Sequence, residues 1–66
     1  MNVTVNGVSR ALDEGVTLAE LLDREAGSSR GTAAAVDGEV VPRGDWARFA
    51  LADGQAVELL TAVQGG

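Results

Sequence analysis

Two short dipeptides, Asn6-Gly7 and Asp37-Gly38, constrain the fold of this chain more than any other feature of its sequence. Both favour a two-residue turn whose central residues have positive φ, and such a turn joins two adjacent antiparallel strands. The residues around the first turn, from Val3 to Leu12, alternate between apolar and polar, as a half-buried strand does. The sequence therefore predicts two β-hairpins, one in each half of the chain.

A single amphipathic helix is predicted between the hairpins, in the stretch GVTLAELLDREAG. Thr17 and Glu20 have the spacing of a capping box, and Val16 is placed to pack on Leu21 as a hydrophobic staple. Gly27 is expected to end the helix. The apolar face of the helix comprises Leu18, Leu21 and Leu22.

The second hairpin leads into a segment with a weaker pattern. Within this hairpin, Val36 and Val40 are the predicted core residues. Pro42 cannot continue a strand ladder, so it ends the pattern. The following residues predict a short turn or 3₁₀ segment that Asp45 caps and in which Trp46 packs against the core.

The last predicted strand, QAVELLTAV, alternates again, with Val57 and Leu59 facing inward and Leu60 facing outward. The order β-β-α-β-β indicates an α+β chain with the β-grasp fold: a mixed sheet of four to five strands with one main helix packed on one face. A short chain favours parallel pairing of the last strand with the first, with the C-terminus at a sheet edge. Residues 1–62 then form the domain, and residues 63–66 form a flexible tail ending in Gly-Gly.

Composition argues against several classes of function. Ten acidic residues against five arginines give a formal charge of −5, which disfavours binding to nucleic acid or to anionic membranes. The sequence shows neither a membrane-spanning stretch nor a signal peptide, so a cytoplasmic protein is expected. The 66 residues include no cysteine, histidine, lysine or tyrosine, so we expect neither an enzyme nor a metal site.

A set of motifs spans the second half of the chain: Val41-Pro42-Arg43, Trp46, Asp53-Gly54, Val57 to Leu60, Val63 and Gly65-Gly66. In their order and spacing the chain resembles the ThiS family, the sulfur carriers of thiamine biosynthesis, and the resemblance covers essentially its whole length. The opening NVTVNG and the helical TLAELL are similar to that family as well. A terminal Gly-Gly is shared with ubiquitin and with the small subunit of molybdopterin synthase, whereas VPRxxW is more specific.

The resemblance implies chemistry on the carboxylate of Gly66. A ThiF-like adenylyltransferase would activate this carboxylate with ATP and Mg²⁺, and a sulfur-donating protein would convert it to a thiocarboxylate. A ThiG-like thiazole synthase would then accept the sulfur, while the carrier itself binds no cofactor. Fully extended, Val63, Gln64, Gly65 and Gly66 span roughly 13 Å, enough to thread into a partner's pocket.

Two residues of the folded domain are candidate partner contacts. Leu60 is either an ordinary exposed apolar residue or part of a docking patch next to the tail. Arg43 either binds a partner carboxylate or phosphate or is simply solvated.

Two alternative functions stay open. One is a molybdopterin-synthase-type or other sulfur carrier, of which the molybdopterin type is disfavoured because no Pro-Pro precedes the last strand. The other is a β-grasp protein modifier or interaction module without sulfur chemistry.

Overall fold

Five strands form one mixed sheet in the computed structural model, which describes residues 1–26 and 31–61. One α-helix of the described residues packs on one face of this sheet, and a short 3₁₀ helix follows the fourth strand. The predicted α+β fold is therefore confirmed. The elements are β1 (Asn2–Val5), β2 (Val8–Ala11), α1 (Leu18–Ala26), β3 (Thr32–Val36), β4 (Glu39–Val41), the 3₁₀ helix (Arg43–Arg48) and β5 (Ala56–Thr61).

Both predicted hairpins form, and their turns have the expected backbone geometry. Asn6 and Asp37 each have a φ of 51°, and the glycines that follow them have φ values of 83° and 85°. Asparagine, aspartate and glycine tolerate this left-handed region, which other residues rarely adopt. The turns pair Val5 with Val8 and Val36 with Glu39, so each turn sets the register of its hairpin.

β5 lies at the centre of the sheet, whose strand order is β2-β1-β5-β3-β4. It pairs in parallel with β1, as predicted, and antiparallel with β3 on its other side. The expected sheet-edge position is therefore wrong for β5, the last strand, which has a neighbour on each side. The chain returns from α1 as β3 and pairs along the free side of β5, so the sheet edges are β2 and β4.

Helix α1 begins at the predicted capping box. The Thr17 hydroxyl accepts a hydrogen bond from the Glu20 N–H at 3.2 Å, and a Glu20 carboxylate oxygen accepts one from the Thr17 N–H at 3.1 Å. Val16 is buried, as the predicted staple requires. Gly27 lies outside the described residues. The three leucines of the apolar face of α1, Leu18, Leu21 and Leu22, are almost completely buried.

No helix in residues 1–26 or 31–61 has the length and apolar character needed to cross a membrane.

The second hairpin contains one wrong core prediction. Val36 is buried as expected, but Val40 is 75% exposed, and its neighbour Val41 is buried in its place. The pairing explains the difference. Val41 lies opposite the buried Ala34, whereas Val40 lies opposite Ala35 on the other face of the sheet.

Trp46 is a packing residue, as predicted from the sequence. Its indole is 4% exposed, and its Nε1–H donates a hydrogen bond of 2.8 Å to the Val41 carbonyl oxygen. The prediction that Asp45 caps this segment is wrong: the residue at the N-cap is Pro42, and no side chain caps the turn. Asp45 lies inside the 3₁₀ helix, where its carboxylate accepts hydrogen bonds from the Arg48 guanidinium.

The adjacent valines of β4 provide a test of the register. Val41→Ala should lower the free energy of unfolding by about 2 kcal/mol, because it removes two buried methyl groups and leaves a cavity. Val40→Ala, at an exposed position, should change it by less than about 0.5 kcal/mol. Urea unfolding followed by Trp46 fluorescence measures both values, and equal losses would contradict the observed register.

The capping box predicts a pH dependence of stability. The hydrogen bonds from the Thr17 N–H and hydroxyl hold the pKa of Glu20 below its ordinary value of 4.5. A carboxyl whose pKa is lowered by folding stabilises the protein above its unfolded pKa, and this contribution is lost as pH falls through the folded pKa. The stability advantage of the wild type over Glu20→Gln should therefore shrink on acidification from neutral pH. Chemical unfolding across this range measures it, and a constant difference would contradict the assignment.

Candidate functional site

The face of the sheet opposite α1 is nearly uncharged. Val3, Val5, Val57 and Leu59 point toward the helix, so their neighbours along the same strands point outward. Among the described strand residues of this outer face, Glu58 is the single charged side chain. The outer face consists of Asn2, Thr4, Ser9, Ala11, Ala33, Ala35, Val40, Ala56, Glu58 and Leu60.

An apolar patch lies on this outer face, where β5, β3 and β4 run side by side. Leu60 is 73% exposed and lies opposite Ala33, while Val40 lies opposite Ala35. The alanines between these two larger side chains leave a shallow depression, and Glu58 contributes to its lining. We call Leu60, Val40, Ala33 and Ala35 the outer patch.

The outer patch is suited to binding rather than to chemistry. Exposed apolar side chains that cluster commonly mark surfaces for protein partners, whereas isolated ones need no explanation. Alanines let a partner approach the strands closely, and Glu58 offers a carboxylate at the margin. In residues 1–26 and 31–61 no three side chains of the histidine, cysteine, aspartate or glutamate type are grouped to hold a metal ion.

Leu60 of the outer patch lies shortly before the predicted reactive tail in the sequence. Leu60 directly precedes Thr61, the last residue of β5. The predicted tail residues Val63, Gln64, Gly65 and Gly66 lie outside the described residues, as does the predicted domain boundary at residue 62. The short separation along the chain means that a partner bound over Leu60 is also near the segment that leads to Gly66.

Arg43 belongs to a different surface. It is the first residue of the 3₁₀ helix, which packs beside α1 on the opposite side of the sheet. There it lines a groove with Glu20, Asp23 and Trp46. The structure therefore does not bring Arg43 together with Leu60, and one small contact surface cannot include both side chains.

Val40 is the site residue that the sequence interpretation missed. The signal was present, because a two-residue turn at Asp37-Gly38 pairs Val36 with Glu39. Counting outward from that pair places Val41 on the face of Val36 and Val40 on the opposite face. Apolar character alone could not distinguish the two neighbouring valines, whereas the turn length does.

Known proteins resemble this chain in sequence and in fold. The model of the ThiS family matches residues 3–66. The chain is 30% identical over 66 residues to the sulfur carrier protein ThiS of Escherichia coli (strain K12), and the match covers all of both chains. The fold resembles the crystal structure of the thiamine biosynthesis protein ThiS from Geobacter metallireducens, with a TM-score of 0.82, 33% identity and complete coverage of both chains. A solution structure of a thiamine biosynthesis protein from that organism gives a TM-score of 0.80 at 33% identity, covering all of this chain and 88% of that one.

Proposed function

This chain belongs to the ThiS family, the sulfur carriers of thiamine biosynthesis, and we propose that its Gly66 carboxylate is the group that carries the sulfur. The observation that supports the proposal most strongly is the family match, which extends through the terminal Gly65-Gly66. In this proposal the chain is a co-substrate of partner enzymes and does not itself catalyse a reaction. ATP-dependent activation of the carrier is proposed to occur in the cytoplasm.

Two steps produce the loaded carrier. A carboxylate oxygen of Gly66 attacks the α-phosphorus of ATP on a ThiF-like adenylyltransferase, where Mg²⁺ is bound, and pyrophosphate leaves. A sulfur nucleophile from the donor then attacks the acyl carbon, and AMP leaves with the electron pair of the broken C–O bond. With hydrosulfide as the nucleophile, the product after loss of a proton is the thiocarboxylate. This species delivers sulfur to a ThiG-like thiazole synthase.

The composition of the chain explains why partners are needed. A carboxylate is a poor electrophile until its oxygen becomes part of a good leaving group, and this chain has no cysteine, histidine or lysine with which to activate it. Glycines at the end suit transfer into an enzyme's pocket, because without Cβ atoms they let the partner's backbone and nucleotide approach closely.

The outer patch supplies the docking surface in this proposal. It presents Leu60 and Val40 close to the end of β5, so a partner that covers it can receive the residues that follow. Arg43 lies on the helix side of the molecule, so any contact it makes with a partner must involve a second surface.

Thiocarboxylate formation tests the carrier function directly. The chain is incubated with the adenylyltransferase of its own organism, first shown to be active by ATP turnover, together with ATP, Mg²⁺ and sulfide. Intact-mass spectrometry should show a gain equal to the difference between one sulfur and one oxygen atom. Deletion of Gly66 should abolish the gain and leave the unfolding midpoint unchanged, because glycine has no side chain to pack.

Other outcomes of this experiment contradict the proposal. An unchanged mass in the presence of an active partner excludes the carrier function. If a lysate of its own organism is added, an amide-linked conjugate to another protein, without sulfur incorporation, identifies a protein modifier instead. If thiazole synthase and a molybdopterin-type acceptor are then each offered to the loaded carrier, sulfur transfer to the second and not to the first excludes the thiamine pathway.

Leu60→Glu tests the docking surface. We expect the dissociation constant for the adenylyltransferase to rise about tenfold, because the new carboxylate is buried against an apolar partner surface. The free energy of unfolding should change by less than about 0.5 kcal/mol, because Leu60 is exposed in the unbound chain. Calorimetric titration and urea unfolding measure the two quantities.

Ser9→Glu is the matched control. It adds the same charge to the same face, but on edge strand β2 and away from the outer patch. Its dissociation constant should stay at the wild-type value. If both variants weaken binding equally, net charge rather than the outer patch controls docking, and if neither does, the partner binds another surface.

A further inference from the structure

Strand β5 continues beyond its parallel partner. β1 ends at Val5, which lies opposite Val57, and the chain then turns away at Asn6-Gly7 into β2. On its other side β5 stays paired with β3 as far as Thr61. The last part of β5, which leads toward Gly66, would therefore have no ladder partner from β1.

The side chain of Asn6 takes the place of that partner. Its Oδ1 accepts a hydrogen bond of 2.8 Å from the Leu59 N–H, and its Nδ2 donates one of 3.2 Å to the Leu59 carbonyl oxygen. The Asn6 backbone N–H donates to the Val57 carbonyl oxygen at 2.9 Å. A carboxamide contains the same donor and acceptor as a peptide group, so it extends the parallel ladder by one further step.

We propose that Asn6 is a positioning residue for the sulfur-carrier reaction: its carboxamide holds β5 at Leu59 and so sets the direction in which the chain leaves the sheet toward Gly66. This inference rests on the function proposed above. The adenylyltransferase must bring the Gly66 carboxylate into line with the α-phosphorus of ATP. Small errors in the placement of reacting groups reduce rates strongly.

Asparagine satisfies two requirements at this position. The residue must adopt a positive φ, which asparagine, aspartate and glycine do more readily than other residues. It must also both donate and accept a hydrogen bond at Leu59, and of these three side chains only the carboxamide can do so when ionisable groups are charged. Aspartate meets the first requirement and half of the second, whereas glycine meets only the first.

The other hairpin turn provides a matched reference. Asp37 has the same φ of 51°, and its Oδ1 accepts a hydrogen bond of 2.9 Å from the Ala56 N–H. This contact holds β5 where the strand begins, whereas the Asn6 contact holds it close to where it ends. Both side chains accept a hydrogen bond from the backbone of the central strand, but only Asn6 does so near the end of β5 that leads to Gly66.

The experiment compares Asn6→Gly, Asn6→Asp and the control Asp37→Gly, all of which keep a residue suited to positive φ. Thiocarboxylate formation is measured with the adenylyltransferase, ATP, Mg²⁺ and sulfide, well below the unfolding temperature of every variant. We expect kcat to fall about tenfold for Asn6→Gly. The dissociation constant should stay near the wild-type value, because the outer patch is intact. Asp37→Gly should lose stability but keep the wild-type kcat.

Hydrogen exchange and the aspartate variant supply readouts that a general loss of stability does not reproduce. The Leu59 amide should exchange faster in Asn6→Gly, while amides at the start of β5 keep their protection. Asn6→Asp retains the acceptor for the Leu59 N–H, so its kcat should lie between those of the wild type and Asn6→Gly. It also serves as the test variant if Asn6→Gly does not fold.

Two results would overturn the proposal. The first is wild-type kcat in Asn6→Gly, or in Asn6→Asp where that variant replaces it. The second is a loss of kcat in Asp37→Gly as large as that in the Asn6 variant, which would show that stability alone controls turnover. Absence of thiocarboxylate in the wild type is a separate outcome, because it rejects the proposed function itself.

Discussion

The rest of this structure depends on the two-sided pairing of β5. The strand pairs with β1 in parallel and with β3 antiparallel, so it joins the two hairpins into one sheet. Its inward side chains, Val57 and Leu59, complete the core beneath α1. A chain of this size buries a smaller fraction of its surface than a larger domain does, so a strand shared by both halves is an effective way to couple them.

The two faces of the sheet also present different side chains along β5. Alternation sends every second residue of β5 into the core and the residues between them to the outer face. Leu60 consequently lies on the outer face, beside Ala33 and near Val40. The surface suited to a partner is thus built partly on the central strand of the sheet, shortly before the residues proposed to carry the sulfur.

The hairpin turns contribute to this arrangement in a way that their sequence alone does not reveal. Asn-Gly and Asp-Gly are selected by turn geometry, and that geometry predicts the two hairpins without further information. In the folded chain the first residue of each turn also uses its side chain to hold β5, Asp37 at Ala56 and Asn6 at Leu59. Residues that make the local structure therefore also stabilise long-range pairing.

Local signals were enough for most elements and for part of the site. The turn dipeptides, the capping box at Thr17 and the alternation around Leu60 each depend on neighbours in sequence, and each predicted its feature correctly. Tertiary structure alone decided what β5 pairs with on its second side, where Arg43 lies relative to Leu60, and which side chain completes the ladder at Leu59. These features depend on contacts between residues far apart in the chain, and hydrophobic period and turn chemistry carry no information about such contacts.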